Sequence, residues 1–268
     1  MTESELTLGW PGTPSVILLQ REGDEAHVVA HAGDLDEPRP WASVSKVAVA
    51  LACALESDEG RLGDDDVVAD NGATVSQLLS HCGGFGLEEA DPRYTPGSRR
   101  VYSNVGIDKV VDAARRGREW TEWLTERVVG PLGLTTTVMS GRPSSGLAGS
   151  TSDLARLAGE WLIPRLVSPA RDRLVTTPFG ASLSGVVPGF GRFDPCPWGL
   201  GPEIHGTKDH WMRSWAPTAF GDFGQSGALL LVDRDAGRAL VATSSVAFGP
   251  WARELWPDWS ARMRVFAP

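Results

Sequence analysis

Ser43 and Lys46 stand three residues apart in the segment Trp41-Ala-Ser-Val-Ser-Lys46. On a helix that spacing puts both side chains on one face, about one turn apart. Serine alone is a poor nucleophile and needs a neighbouring base, or a cation that favours its alkoxide. A lysine whose pKa is lowered by burial can supply the base. The helix N-terminus adds positive potential, and the Ser43 backbone N–H can help to form an oxyanion hole. The bland reading of the same pair is a capping serine followed by an exposed lysine. Chance yields one Ser-x-x-Lys in about one such chain in four, so the pair needs support from elsewhere.

Support comes from scarce residue types. The 268 residues include only three lysines (Lys46, Lys109, Lys208), two tyrosines (Tyr94, Tyr102) and two asparagines (Asn71, Asn104). Tyr102-Ser103-Asn104 uses one of each of the latter two, and a chance Tyr-x-Asn is expected in roughly one or two such chains per hundred. A tyrosine hydroxyl near an ammonium can have a lowered pKa and serve as general base. The Asn104 amide can donate to a substrate carbonyl and hold the lysine. Alternatively, Tyr102 packs on a turn and Asn104 caps the helix that begins at Val105.

Bulk properties exclude several classes. The net charge is −9, and no basic run could track a phosphate backbone, which argues against nucleic-acid binding. No run approaches the ~18 apolar residues of a membrane span. The segment Met1-Thr-Glu-Ser-Glu5 has no signal-peptide pattern, so a cytoplasmic location is expected. Cys53, Cys82 and Cys196 are odd in number and widely spaced, which implies no disulfide framework. Cys196, His205, Asp209 and His210 fit no standard zinc spacing. No cofactor is expected.

The elements that must position these residues can be traced along the chain. Val16–Gln20 and Ala26–His31 are apolar runs around a charged turn and predict a hairpin. A helix begins at Ser43 and ends near Gly60, a C-terminal cap. Short helices are predicted at 74–80, 106–116 and 120–129, and another runs through Leu162, capped by Thr151 or Ser152 and stopped by Pro164. The stretch 178–202 has little periodicity. Two strands at 227–232 and 239–244 and a Trp-rich helix at 251–264 close the chain. Strands at both ends and helices between them predict an α+β fold with an antiparallel sheet built from both termini, flanked by helices, plus an inserted helical region. The expected parts are a mixed α/β sheet domain of residues 1–60 and 195–268 and a mainly helical region of residues 61–194.

Ser-x-x-Lys followed by Tyr-x-Asn resembles the serine β-lactamase and penicillin-binding-protein superfamily, most closely its class C β-lactamase and family VIII esterase branch. The flanks share the resemblance. Glu59-Gly-Arg-Leu-Gly-Asp-Asp65 is similar to that family's "EGKL-LDD". Thr74-Val-Ser-Gln-Leu-Leu-Ser-His-Cys-Gly-Gly-Phe85 is similar to "LLTHTSGL", and Pro96–Gly106 to "PGTRFSYSNTGY". The resemblance implies a β-lactamase/transpeptidase-like fold and acyl-enzyme chemistry on small esters or amides. Within it Ser43 is the acylated nucleophile, Lys46 its activating partner, Tyr102 the general base and Asn104 a polar residue beside the substrate. The class A Glu-x-x-x-Asn is absent, which favours the tyrosine branch.

The third element of that pattern is Lys-Thr-Gly or His-x-Gly. Here Phe220-Gly-Asp-Phe-Gly-Gln-Ser-Gly227 resembles "FGHTGFTGT", with Asp222 at the cation position, Gly224 kept and Gln225 following. The resemblance makes the Gln225 N–H the second oxyanion donor. An aspartate at this position would repel a substrate carboxylate at a cost of about 1–4 kcal/mol, so poor activity on β-lactams is expected. Asp222 could instead favour a neutral or amine-bearing substrate, pair with Lys46 and hold it protonated, or form a structural hydrogen bond. The rival expectation is a catalytically degenerate relative that keeps the cleft as a binding or regulatory module. His81 and Cys53 read as packing residues, and Trp198, Trp211 and Trp215 as core or as the wall of an acyl pocket.

Overall fold

The computed structural model describes residues 3–266. Met1, Thr2, Ala267 and Pro268 lie outside the described residues, and with them the start of the acidic N-terminal segment. The elements in chain order are helix α1 (Glu3–Leu6), strands β1 (Ser15–Glu22), β2 (Glu25–Ala32) and β3 (Arg39–Pro40), a 3-10 turn (Ala42–Val44) and helix α2 (Ser45–Asp58). Helices α3 (Val75–Leu79), α4 (Asn104–Ala114) and α5 (Trp120–Leu124) follow, the last running into a π turn (Thr125–Val129). Then come β4 (Val138–Met139), β5 (Leu147–Gly149), α6 (Thr151–Leu162), α7 (Pro169–Val175), β6 (Gly185–Val187), β7 (Gly191–Phe193) and β8 (Glu203–Ile204). Strands β9 (Phe220–Phe223), β10 (Leu229–Asp233) and β11 (Arg238–Thr243) lead into α8 (Pro250–Arg264).

Six strands form one antiparallel sheet in the order β2-β1-β11-β10-β9-β8. The N-terminal hairpin therefore joins the C-terminal strands directly, with Ser15 opposite Thr243 and Gln20 opposite Arg238. The α+β fold with a sheet from both termini is the one the sequence pattern predicts. Alternate residues of a strand face opposite sides, and here both sides are covered. Ile17, Leu19, Leu230 and Val241 join the core that holds α2 and α6, whereas Val16, Leu18, Leu231 and Leu240 join the tryptophan-rich core under α8. That is why Leu229–Val232 is continuously apolar rather than alternating. From within residues 61–194, α6 packs against β1, β10 and β11.

Helix α2 is buried from Ser45 to Ala54 on every side, as expected of a helix without a polar face. Beyond its end Gly60 has φ +72°, the left-handed conformation of a C-terminal glycine. Thr74 and Gln77 form a capping box on α3. Two caps differ from expectation. Ser103, not Asn104, caps α4 by accepting from the Gly106 N–H (2.9 Å), and Ser150, ahead of Thr151 and Ser152, caps α6 by accepting from Asp153 (3.0 Å). In both cases the residue with extended backbone takes the cap, which frees the following side chain for other contacts.

Near the end of α2, Glu56 is fully buried. It accepts from Trp123 Nε1 (3.1 Å) and pairs with Arg61 and with Arg127 Nε (2.7 Å). Removing one partner of a buried charge network leaves the others uncompensated. Glu56→Ala is expected to lower unfolding free energy by about 3–5 kcal/mol, measured by urea denaturation, whereas a loss of only a few tenths would show the network to be peripheral.

Candidate active site

The 3-10 turn delivers Ser43 to the head of α2, and Lys46 lies one turn further in, fully buried. Lys46 Nζ donates to Ser43 Oγ (3.1 Å) and to the Ser144 carbonyl (2.9 Å). It also lies over the Tyr102 ring, 4.8 Å from the centroid, within cation–π range. Burial lowers the lysine pKa to about 8, and the Asp222 carboxylate is the strongest influence pulling it back up.

Strand β9 brings the third segment alongside. Asp222 is nearly inaccessible at 2% exposure. Its Oδ1 accepts from the Phe223 N–H (2.8 Å) and its Oδ2 from the Tyr102 hydroxyl (3.3 Å). Burial raises its pKa to about 8, opposed first by the Lys46 charge. Gly224 follows where the strand meets the 3-10 turn. A Cβ there would sit 2.3 Å from the Trp41 carbonyl oxygen, so only glycine permits this approach. Gln225 is exposed. Among the described residues, the backbone N–H groups of Ser43 and Gln225 have no hydrogen-bond partner.

Two expectations for the second motif change. Tyr102 was expected to have a lowered pKa beside an ammonium. Burial instead pushes it well above 10, and the adjacent Asp222 adds to the rise. The ammonium faces the ring, while the hydroxyl faces the Asp222 carboxyl as well as Ser43, so these surroundings disfavour the phenolate. Asn104 was expected to hold the lysine. Its Nδ2 donates to Glu88 Oε1 (2.9 Å) instead, and the Ser144 carbonyl holds Lys46. Asn104 Oδ1 remains buried and without a partner at the pocket wall.

Ser43, Tyr102, Asn104, Asp222 and Gln225 line one pocket of about 160 Å³, with Trp198 and Phe223 among its apolar walls. Sequence spacing did not reveal Ser144. Its loop is held by Asp108, whose Oδ1 accepts from the Ser144 N–H (2.9 Å) and whose Oδ2 accepts from Arg142 Nε (2.6 Å). Nothing in local sequence marks that contact, because 98 residues separate Lys46 from Ser144. Of Trp198, Trp211 and Trp215, Trp198 lines the pocket. Trp211 Nε1 bonds Glu203 Oε2 (2.8 Å), and Trp215 Nε1 bonds the Ser260 carbonyl (3.0 Å). His81 is buried, its Nδ1 accepting from the Ser103 N–H (3.1 Å) and its ring against Tyr102. The Cys53 thiol is buried in the core and its pKa is pushed up by burial. His205 and His210 bond backbone carbonyls and Glu203 respectively.

An antiparallel sheet closed by both termini, with Ser-x-x-Lys at the head of a buried helix and Tyr-x-Asn beside it, defines the serine β-lactamase and penicillin-binding-protein superfamily. The chain belongs to the beta-lactamase family, whose model matches residues 12–261. It is similar to the crystal structure of a beta-lactamase from Mycobacterium bovis, with 37% identity, 97% of each chain covered and a TM-score of 0.91. It shares its fold with a family VIII carboxylesterase (17% identity, 98% of each chain, TM-score 0.73). The same holds for a penicillin-binding protein homolog from Caulobacter crescentus (20% identity, 98% of this chain and 94% of the other, TM-score 0.72). No curated protein matches the chain. Among the described residues no helix is long and apolar enough to cross a membrane.

Asp222 makes stability depend on pH. Its pKa is about 8 in the folded chain, against about 3.9 when unfolded. Between those values the folded state holds a proton that the unfolded state has lost, so this contribution is full below the unfolded pKa and fades as pH rises through 8. Asp222→Asn keeps the shape without that titration. The variant is expected to melt above wild type, by a margin that widens from about pH 5 to about pH 7.5 in thermal unfolding. A constant margin would contradict a raised Asp222 pKa.

Proposed function

We propose that the protein is a serine hydrolase that cleaves small esters or amides through a Ser43 acyl-enzyme and acts poorly on β-lactams. The observation that carries this reading is the 3.1 Å contact between Ser43 Oγ and a Lys46 whose charged form burial disfavours. Neutral Lys46 accepts the Ser43 proton as Oγ bonds to the substrate carbonyl carbon. The oxyanion is received by the free N–H groups of Ser43 and Gln225. Collapse breaks the bond to the leaving oxygen or nitrogen, which takes a proton by way of Tyr102 and Lys46. Water then attacks the acyl-enzyme and gives its proton to the same base, which returns it to Ser43 Oγ as the acyl–oxygen bond breaks and the acid is released. Tyr102 acts as a protonated donor and relay, because its surroundings oppose the phenolate. The pocket of about 160 Å³ suits a small acyl group.

Asp222 favours poor β-lactam turnover. A buried carboxyl group stands where penicillin-recognising relatives place a cation, so a substrate carboxylate meets no counter-charge there, and above about pH 8 it meets a like charge. The same residue supports the second reading, a binding or regulatory module, because Asp222 raises the Lys46 pKa and so favours the inactive ammonium.

Ser43→Ala is expected to abolish hydrolysis of p-nitrophenyl esters and the mass adduct from a fluorophosphonate probe. Full turnover in that variant would refute the acyl-enzyme, and absence of any adduct on wild type would favour the binding module. For wild type, kcat/KM is expected to rise with pH through an ionisation near 8 as Lys46 loses its proton. Asp222→Asn removes the carboxylate that raises the lysine pKa, so its rise is expected at lower pH. Asp222→His is expected to increase turnover of a chromogenic cephalosporin, and an unchanged rate would remove the charge explanation.

A further inference from the structure

A second cavity of about 540 Å³ continues outward from the Ser43 pocket, and the two share Leu87, Tyr102 and Pro188 as common walls. Its volume lies within the range of small-molecule sites. The lining combines two properties. Leu87 and Val186 are exposed large apolar side chains, 45% and 52% accessible, and both face this groove. Arg99 and Arg192 also line it, each exposed. Arg99 stacks on Tyr94, 4.6 Å from the ring centroid, and Arg192 donates to Ser184 Oγ (2.9 Å). Neither guanidinium has a carboxylate partner among the described residues.

The groove is also charged against the trend of the chain. The net charge is −9, yet the groove's lining holds three guanidiniums and one carboxylate. The third, Arg100, is buried and donates only to carbonyls, those of Ser80, Phe179, Gly180 and Cys196. Its charge is therefore not neutralised by a side chain. The carboxylate, Asp91, is engaged by the Glu88 N–H (2.8 Å). Unpaired guanidiniums at the rim of an apolar groove suit an anion on an apolar stem, since the planar fork pairs with carboxylate or phosphate oxygens.

We propose that the substrate is an ester or amide whose distal end carries an anionic group, held by Arg99 and Arg192 while an apolar stem lies on Leu87, Val186 and Pro188. This rests on the hydrolase reading and deepens it: the cation missing from the inner pocket at position 222 is supplied in the outer groove. The inner site then offers no counter-charge to an anion placed next to the scissile bond, and the outer arginines favour one placed further away.

The test compares mono-p-nitrophenyl esters of succinate, adipate and suberate with neutral p-nitrophenyl esters of matched length. Wild type is expected to prefer one of the two longer diacid esters by about tenfold in kcat/KM, the worth of one charged hydrogen-bond pair, and high salt should shrink that preference. In Arg99→Gln/Arg192→Gln the ratio is expected to fall to about one, whereas Arg173→Gln, at an exposed position outside the groove, should keep it. No preference in wild type, or a preference that survives in the double variant, overturns the proposal. If no ester is cleaved and Ser43 takes no probe, the hydrolase reading fails by itself. Binding then decides the anion site: tryptophan fluorescence titrated with 4-phenylbutyrate and with 4-phenylbutanamide. Tighter binding of the acid that is lost in the double variant supports the site, and equal binding of the two overturns it.

Discussion

A lysine ammonium held inside the core beside a buried carboxylate is the constraint on which the rest of the site depends. A charge taken out of water costs several kcal/mol unless paired and hydrogen-bonded. Lys46 finds its compensation in Ser43 Oγ, the Ser144 carbonyl, the face of Tyr102 and the field of Asp222. These come from four separate stretches of chain, so the site exists only when the sheet from both termini and the middle segments have all assembled. Burial pushes both members of the pair toward neutrality. The same desolvation that strains the fold favours the neutral lysine that the proposed acyl-enzyme chemistry needs as its base.

Close backbone approach is the second condition. Ala42 adopts φ +48°, a left-handed conformation that is costly for a residue with a side chain. It turns the chain so that Ser43 starts the helix facing β9. Gly224 then meets the Trp41 carbonyl at a distance no side chain would tolerate. Among the described residues the N–H groups of Ser43 and Gln225 beside this contact have no internal partners, as the proposed oxyanion contact requires. The pocket is bounded by Trp198, itself set edge-on against His81 and Tyr102. The buried Glu203–Lys208–His210 cluster lies behind it, with Lys208 Nζ 3.0 Å and His210 Nε2 2.8 Å from Glu203 Oε1.

Much of the fold was legible because its signals are local. The hairpin Ser15–Ala32, helix α2, the capping box at Thr74, strands β10 and β11 and helix α8 follow from periodicity, caps and turn residues. Helix α7 carries a signal that periodicity passes over, the Ser168 cap followed by Pro169, whereas the short strands β6 and β7 carry none, and their pairing depends on neighbours brought in by the fold. The caps fall on Ser103 and Ser150, one or two residues before the positions that residue type suggests, since the backbone conformation that selects a cap is not written in residue type alone. In the site, the Ser43–Lys46 contact followed from three-residue helical spacing. The partner of Asn104 did not, because Glu88 reaches it from a loop whose course no periodicity defines.

By itself the sequence determined the family, the order of the motifs and the aspartate that stands at the third of them. Those features reside in residue identity and short spacing. The tertiary structure decided the protonation logic: a tyrosine pushed above its ordinary value, and a lysine and an aspartate each shifted to about 8. It also decided that the cationic groove opens from the Ser43 pocket. Those depend on desolvation and on charges that approach one another only through folding, where burial weakens solvent screening and fixes the distances between groups far apart in the chain.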